Sequence, residues 1–304
     1  MGGTGKSPMV EYLVERLKGN FKVATLSRGY KRKTRGYALA DENSSALEIG
    51  DEPMQFHLKF PDVPVAVGES RIEAIPQLLH DRPETQAIIL DDAFQHRAIK
   101  AGLNILLTDH NNLFTRDFYL PTGDLRDLKS SYKRAEIIVV TKCKPDLPGD
   151  EKTKIVGEID PVKGQHIFFT ATEYGEVYHI REKRTLSLNS TEEVLLVTGI
   201  ANPRPLKKLL EEYSHSYHML QYQDHHIFNI DDLKDIKKRF DAMEPRNKMI
   251  LTTEKDAVRL LKFQDQIAGL PLYVIPVRHH FLFGEGPKFD GLIIDFIENF
   301  KQKE

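Results

Sequence analysis

Cysteine is almost absent from the chain: among 304 residues there is only Cys143. A single cysteine excludes an internal disulfide framework and favours a reducing compartment. We also expect neither a secretory signal nor a membrane-spanning helix, because no apolar run reaches the length that crosses a bilayer. These absences argue against a disulfide-stabilised secreted domain and an integral helical membrane protein, and they leave a peripheral membrane protein open.

An excess of charge of one sign is also missing. Lys and Arg number 43 and Asp and Glu number 45, so the formal net charge is -2. A chain this close to neutrality is not built around bulk attraction to nucleic acid, and we expect no nucleic-acid partner. One short basic run lies at residues 31–35. Such a run is usually a solvated loop, and a surface that faces a phosphate or a membrane is the alternative.

The hydrophobic pattern of the first half alternates between short β-rich runs and amphipathic helical segments. This alternation predicts an α/β fold with a doubly wound, mostly parallel sheet. Ligands of such sheets bind beyond the carboxyl ends of the strands, which is where the polar residues fall here. The predicted strands of this half cover residues 21–26, 63–67, 87–90, 105–108 and 137–140.

A glycine-rich segment at the start of the chain has the order of a phosphate-binding loop, as in P-loop NTPases. Glycines let backbone N–H groups close around phosphate oxygens, because they carry no Cβ. Lys6 would reach the β- and γ-phosphates of ATP, and the Ser7 hydroxyl would bind Mg²⁺. The first glycine of the full pattern would precede Met1, so a flexible glycine tail is the alternative. The predicted ATP-binding residues are Gly2, Gly3, Thr4, Gly5, Lys6 and Ser7.

Two carboxylates, Asp91 and Asp92, directly follow the predicted strand at 87–90. An apolar strand that ends in aspartate is typical of a Walker B element, in which a carboxylate holds Mg²⁺. Many strands end in aspartate at a turn, so the pattern alone is weak. Beside a phosphate loop, one carboxylate can serve the metal while the other orients or deprotonates a substrate hydroxyl.

The composition changes at residues 144–164, which are rich in Pro, Asp, Lys and Gly. Such a stretch predicts a domain boundary near its end, and 304 residues suit two domains. We therefore predict a P-loop nucleotide-binding domain over residues 1–160 and a smaller α/β domain over residues 161–304. Strands of the smaller domain are predicted at 166–170, 194–197, 249–251 and 272–275.

The 12 histidines show no spacing typical of a zinc site. His225 and His226 follow Asp224, and a second pair occurs at residues 279–280. Histidine pairs of this kind are usually solvated or hydrogen-bonded rather than catalytic. The segment 253–256 is typical of a helix capping box, in which Thr253 caps and an aspartate lies in the first turn.

Taken in order, these segments resemble the tetraacyldisaccharide 4'-kinase family over almost the whole chain. No single segment is decisive, but the ordered set is specific. The first half contributes Gly-Gly-Thr-Gly-Lys-Ser-Pro at 2–8, Leu-Ser-Arg-Gly-Tyr at 26–30, Gly-Asp-Glu-Pro at 50–53, Asp-Asp-Ala-Phe-Gln-His at 91–96 and Leu-Pro-Thr-Gly-Asp-Leu-Arg-Asp at 120–127. The second half contributes Thr-Gly-Ile-Ala-Asn-Pro at 198–203, Asp-His-His at 224–226 and Thr-Glu-Lys-Asp at 253–256.

The resemblance implies a reaction in lipid A biosynthesis. In it, the γ-phosphate of ATP moves to the 4'-hydroxyl of a lipid-linked glucosamine disaccharide 1-phosphate. The resemblance also implies Mg²⁺, a lipid disaccharide substrate and peripheral contact with the cytoplasmic face of a Gram-negative inner membrane. We expect a monomer.

The resemblance further implies roles for individual residues. The carboxylate–histidine dyad of the family falls on Asp91 and His225, so Asp91, assisted by His225, would take the proton of the sugar hydroxyl. Acidic positions of the family fall on Asp92, Asp109 and Asp127, which are candidates for holding the metal or the substrate. The smaller domain would close over the site and exclude water.

The chain departs from the family pattern in three places. Ala93 stands where the family usually has Gly, and residues 124–127 stand where it usually has Pro-Leu-Arg-Glu. These changes affect local geometry rather than the reaction. Family members also carry a further N-terminal segment with a strand before the loop. We therefore expect the natural protein to begin upstream of Met1. The alternative is a natural protein that is shortened at this end.

Two other functions are compatible with the phosphate loop. A P-loop ATPase switch that acts through partner binding would need no sugar site and no dyad, so His225 would be dispensable. A soluble small-molecule kinase would phosphorylate a water-soluble acceptor without lipid. An ATP assay with the purified lipid disaccharide separates these alternatives.

Overall fold

The computed structural model describes residues 3–119, 121–188, 193–213, 216–224, 226–244 and 247–300. The chain divides into two compact units. The first contains the residues up to Glu173 together with those from Arg278 onward, and the second contains Tyr174–Val277. The expected division lay between residues 160 and 161, so the structure places its boundaries elsewhere.

Regular elements of the first unit alternate between strand and helix, as the hydrophobic pattern predicts. Up to the boundary they are α1 (Lys6–Leu17), β1 (Val23–Ser27), β2 (Ala38–Leu39), α2 (Ala46–Ile49), α3 (Asp51–Lys59), β3 (Val65–Val67), α4 (Arg71–Asp81), β4 (Ala87–Leu90), β5 (Ile105–Asp109), a 3-10 helix (Lys129–Arg134), β6 (Ile137–Cys143), α5 (Gly149–Ile159) and β7 (His166–Tyr174).

The second unit continues this alternation, and the chain then returns to the first unit. The elements are β8 (Val177–His179), β9 (Thr185–Leu186), β10 (Glu193–Thr198), α6 (Arg204–Tyr213), β11 (Ser216–Gln221), α7 (Ile230–Asp241), β12 (Lys248–Thr253), α8 (Glu254–Leu260), a 3-10 helix (Leu261–Phe263), α9 (Gln264–Ile267) and β13 (Leu272–Ile275). The returning segment contains β14 (Val277–Phe281), a 3-10 helix (Leu282–Gly284) and α10 (Gly286–Glu298).

The boundary differs from the expected one because the stretch at 144–164 and the strand that follows it belong to the first unit. The stretch contains α5, whose buried Ile155 and Ile159 lie four residues apart on one helix face. The next strand, β7, pairs in parallel with β6 and therefore belongs to the sheet of the first unit. The sequence offers no local signal that the C-terminal segment returns to that unit.

Parallel strands dominate both sheets of the first unit. In the described residues one sheet has the order β2-β3-β1-β4 and the other the order β14-β7-β6-β5. The strand β1 runs parallel to β3 and β4, and β6 runs parallel to β5 and β7. The prediction of an α/β fold with mostly parallel sheets is confirmed. Since parallel strands end at the same edge, the polar residues after β1 and β4 lie together.

The second unit has its own sheet, with the order β11-β10-β12-β13-β8-β9 in the described residues. The first four of these strands are parallel, and β8 and β9 are added in antiparallel pairing. The Thr253 side chain accepts a hydrogen bond from the Asp256 N–H at the start of α8, which confirms the predicted cap. This separate sheet and core make the second unit an α/β domain in its own right.

The helix α1 is amphipathic, and its buried face forms part of the core of the first unit. Met9, Leu13 and Val14 on that face share a cluster with Phe289 of α10. The Tyr12 hydroxyl also donates a hydrogen bond to Asp290 Oδ1 at 2.8 Å. The C-terminal segment therefore packs against the helix that follows the glycine-rich loop. Among the described residues, no helix combines the length and apolarity that a membrane span requires.

Candidate active site

The loop before α1 has the backbone conformation of a phosphate loop. Gly3 and Gly5 have φ values of 82° and 88°, in the left-handed region that favours glycine. Gly5 occupies the N-cap position of α1 and has no side chain with which to cap the helix. The first N–H groups of a helix and its dipole together attract an anion. The loop is thus suited to a phosphate group.

Hydrogen bonds to the neighbouring sheet hold this loop in place. The Thr141 hydroxyl, in β6, donates to the Thr4 carbonyl at 2.9 Å. Both Thr141 and Thr4 are buried, and Thr141 lies near the carboxyl end of β6. The loop is therefore anchored to the edge of the sheet at which ligands of α/β proteins bind.

Lys6, the first residue of α1, lies beside the carboxylates that follow β4. Its Nζ is 3.5 Å from Asp92 Oδ1, and 58% of the Asp92 side chain is exposed. Asp92 itself has a φ of 48°, a left-handed conformation that is uncommon for a residue other than glycine. The turn after β4 thus directs this carboxylate toward the lysine of the loop.

Asp91, one residue earlier, has a very different environment. It is 5% exposed. The Ser27 hydroxyl donates to its Oδ2 at 3.5 Å, and its Oδ1 has no hydrogen-bond partner among the described residues. Burial raises the pKa of Asp91 to about 7, and the neighbouring charges of Glu52 and Asp92 add to this effect, while Lys6 and Arg71 oppose it. A carboxyl with such a pKa can exchange a proton near neutral pH.

Glu52 and Arg71 complete the surroundings of Asp91. Glu52 lies in the first turn of α3, within the Gly-Asp-Glu-Pro segment, and its charge contributes to the raised pKa of Asp91. Arg71 is buried at the start of α4, and its Nη2 donates to the Asp91 carbonyl at 3.3 Å. With Lys6 of α1 and Ser27 of β1, residues from four separate elements therefore converge on the turn after β4.

Comparison with known proteins identifies the family. The family model described as Tetraacyldisaccharide-1-P 4'-kinase matches residues 1–298. The chain belongs to this family.

Relatives support the assignment along nearly the whole chain. The tetraacyldisaccharide 4'-kinase from Bacteroides fragilis strain YCH46 is 41% identical to this chain, and the match covers 98% of this chain and 82% of that enzyme. The enzyme of the same name from Flavobacterium johnsoniae is 43% identical, and the match covers 98% of this chain and 85% of that enzyme. The enzyme of the same name from Porphyromonas gingivalis is 36% identical, covering 99% of this chain and 86% of its own length.

A solved structure has the same fold. It is a crystal structure of LpxK from Aquifex aeolicus, described as an "apo" form in complex with ATP. The TM-score is 0.72 at 25% sequence identity, and the match covers 98% of this chain and 85% of that one. The similarity therefore extends over both units.

The three aspartates predicted from sequence to hold the metal or the substrate, Asp92, Asp109 and Asp127, have different surroundings in the structure. Asp109 accepts a hydrogen bond from Lys142 Nζ at 2.6 Å, whereas Asp127 pairs with Arg97 at 2.8 Å and Arg134 at 3.1 Å. In the part of the chain that the structure describes, no three His, Cys, Asp or Glu side chains come together as metal ligands. Asp92 thus lies beside Lys6 of the phosphate loop, whereas Asp109 and Asp127 form ion pairs with other basic residues.

Two predicted site residues, Gly2 and His225, lie outside the described residues. The neighbouring His226 makes a contact of 2.8 Å between its Nε2 and Asp232 Oδ2, and its ring stacks on Tyr222. The pairing of His225 with Asp91 stays a prediction.

Sequence reasoning assigned no role to Glu52 or Arg71, although the structure places both beside Asp91. Glu52 lies in the segment at 50–53, which is part of the family resemblance, so the sequence contained a reason to consider it. Arg71 lies in no such segment, and its position follows only from the packing of α4. In the basic run at 31–35, Lys31, Lys33 and Arg35 are exposed, as expected of a solvated loop. The exception is Arg32, whose side chain is 1% exposed and contacts Glu69 at 2.8 Å.

Proposed function

We propose that this protein transfers the γ-phosphate of ATP to the 4'-hydroxyl of a lipid-linked glucosamine disaccharide 1-phosphate, a step in lipid A biosynthesis. Membership of the family supports the substrate class. The structural observation that carries the proposal is the contact between Lys6, at the phosphate loop, and Asp92, next to the buried Asp91. This arrangement joins a nucleotide-binding loop to a carboxyl that can accept a proton.

The two adjacent carboxylates suit different roles. Asp92 is exposed and faces Lys6, so its oxygens are accessible to a hard cation. Ser7 follows Lys6 in the first turn of α1 and has the place in the loop from which a hydroxyl binds Mg²⁺ in P-loop proteins. Asp91 is buried, and its raised pKa makes it a better base than an exposed aspartate. We therefore assign metal binding to Asp92 and Ser7, and proton transfer to Asp91.

The chemistry follows from these assignments. Mg²⁺, when bound with ATP, neutralises charge on the β- and γ-phosphates. Lys6 adds a positive charge where negative charge develops during transfer. The proton of the sugar 4'-hydroxyl moves to Asp91 as the sugar oxygen forms its bond to the γ-phosphorus, and the bond from that phosphorus to the β–γ bridging oxygen breaks to release ADP. We also propose that His225 assists Asp91.

The lipid nature of the acceptor leads to a proposal for location. We propose that the enzyme acts as a peripheral monomer at the cytoplasmic face of the inner membrane. Tyr30 and Lys31 support a lipid-facing surface, since both are exposed and the Lys31 Nζ lies 5.5 Å from the centroid of the Tyr30 ring. An aromatic ring beside a cation suits the interface of an anionic membrane.

The test is an ATP assay with the purified lipid disaccharide as acceptor in detergent micelles, in which the phosphorylated lipid is measured directly. Asp91→Asn serves as the control for contaminating kinases, because it removes the proposed base. We expect phosphorylated lipid with the wild-type protein and little with the variant. Equal product from both proteins, or transfer only to a water-soluble sugar, would reject the proposed function.

A further inference from the structure

His279 lies beneath the phosphate loop and has no part in the chemistry proposed above. It belongs to β14, in the segment that returns to the first unit, and it is 8% exposed. Its Nε2 is 2.8 Å from the Gly5 carbonyl oxygen, and its Nδ1 is 2.9 Å from the Thr170 hydroxyl. The imidazole ring therefore joins β7 to the loop.

The two contacts determine the protonation of the ring. A carbonyl oxygen can only accept a hydrogen bond, so Nε2 of His279 carries the proton and donates it to Gly5. In a neutral ring Nδ1 then accepts from the Thr170 hydroxyl. Burial lowers the pKa of His279, and the hydrogen bond to Gly5 partly opposes this effect. A neutral ring with one donor and one acceptor satisfies both neighbours.

The hydrogen bond from His279 orients a functional peptide group. In a trans peptide the C=O and the following N–H point in opposite directions. The Gly5 carbonyl has two donors: it accepts the first hydrogen bond of α1, from the Met9 N–H at 3.1 Å, and a second one from His279 Nε2 at 2.8 Å. Because this carbonyl is turned toward both donors, the N–H of Lys6 is turned away from them. The bond from Thr141 to the Thr4 carbonyl has the same consequence for the N–H of Gly5. Two successive N–H groups are thereby presented on the side of the loop opposite to these anchors.

The space around Gly5 is also limited by the ring. A Cβ built at Gly5 would lie 2.9 Å from Cε1 of His279, which is closer than real Cβ contacts. The loop therefore lies directly against the imidazole, and a smaller side chain at 279 would leave a gap under the loop. Loss of the ring removes both the hydrogen bond and this support.

We propose that His279 is a positioning residue for ATP: it holds the Gly5–Lys6 peptide so that the Lys6 N–H faces the nucleotide phosphates. The inference rests on the proposed function, because it takes the loop to bind ATP. It assigns a role in phosphate binding to the strand β14. It also predicts that substitution of His279 weakens the binding of ATP and leaves the binding of the lipid acceptor unchanged.

The experiment compares three variants, His279→Ala, His279→Gln and His280→Ala, in ATP binding by calorimetry and in the kinase assay. Glutamine keeps a side-chain N–H donor. His280 is the matched control, since it is the next residue of the strand but its side chain is 58% exposed, with its Nδ1 4.0 Å from Glu173. We expect His279→Ala to raise the KM and Kd for ATP about tenfold, as for loss of one hydrogen bond to a buried carbonyl. The KM for the lipid should stay unchanged.

His279→Gln should restore ATP binding to within about threefold of wild type, a range compatible with a replaced neutral hydrogen bond, and His280→Ala should match wild type. If His279→Ala fails to fold, His279→Leu takes its place, because leucine fills the space under the loop but has no hydrogen-bond donor. A loss of ATP affinity in His279→Leu that His279→Gln restores supports the inference, and equal affinity in these two variants overturns it. Unchanged ATP affinity in a folded His279→Ala protein, or an equal loss in the alanine and glutamine variants, also overturns it. Failure of wild-type protein to bind ATP would instead reject the proposed function.

Discussion

Replacing Asp91 by asparagine tests the buried carboxyl without any substrate. The pKa of Asp91 is raised from 3.8 to about 7, with burial as the largest cause. For a carboxyl whose pKa is higher in the folded protein than in the unfolded chain, the folded state binds the proton more tightly. The protonated Asp91 carboxyl therefore stabilises the folded state at low pH. This stabilisation is lost as the pH rises toward 7, because the ionised carboxylate is poorly solvated in its buried site.

The size of this effect follows from the two pKa values. Between pH 5 and pH 8 the wild-type protein should lose roughly 3 kcal/mol of unfolding free energy through Asp91 alone. Asparagine does not titrate, so the Asp91→Asn variant should not lose this part of the unfolding free energy as the pH rises. The variant should therefore gain stability relative to wild type as the pH rises, by up to that amount at pH 8.

The assay is urea unfolding followed by circular dichroism at a series of pH values, with wild type and variant compared at each. Asp62→Asn is the control, because Asp62 is exposed and its hydrogen bond with Lys18 lowers the pKa of the carboxyl. That variant should differ from wild type by a constant amount over the same range. A constant difference for Asp91→Asn would show that Asp91 does not titrate near neutrality, and the assignment of Asp91 as the base would lose its physical support.

Three further predictions concern the proposed reaction. Lys6→Ala should abolish phosphoryl transfer while the circular dichroism spectrum stays unchanged, since Lys6 is the first residue of α1 and its partly exposed side chain lies beside an exposed carboxylate; full kinase activity in the folded variant would contradict its role. Asp91 and His225 should act as a unit, so a double-mutant cycle on kcat should be strongly non-additive, and independent losses would reject the dyad. Activity should require Mg²⁺ without zinc, so excess EDTA should stop the reaction until Mg²⁺ is added; activity that persists in EDTA would refute this.

Secondary structure near the site was predictable because its causes are local. The apolar run before Asp91 predicts a strand at 87–90, and β4 spans Ala87–Leu90. The same reasoning places β5 and β6 correctly, although β6 extends to Cys143. Composition was less informative at residues 144–164, where Pro, Asp, Lys and Gly predicted a domain boundary near the end of the stretch, while Ile155 and Ile159 supply the buried face of α5. Sequence composition averages over a stretch, whereas a helix needs only a narrow apolar stripe.

The sequence by itself determined the phosphate loop, the carboxylate pair and the family, because these depend on the order of residues along short segments. Only the tertiary structure decided which groups surround them. Gly5 and His279 are 274 positions apart, and Asp91 takes its neighbours from α3 and α4. Spacing along the chain contains no information about such contacts. The burial that raises the pKa of Asp91, and so distinguishes it from Asp92, exists only after these distant elements have packed together.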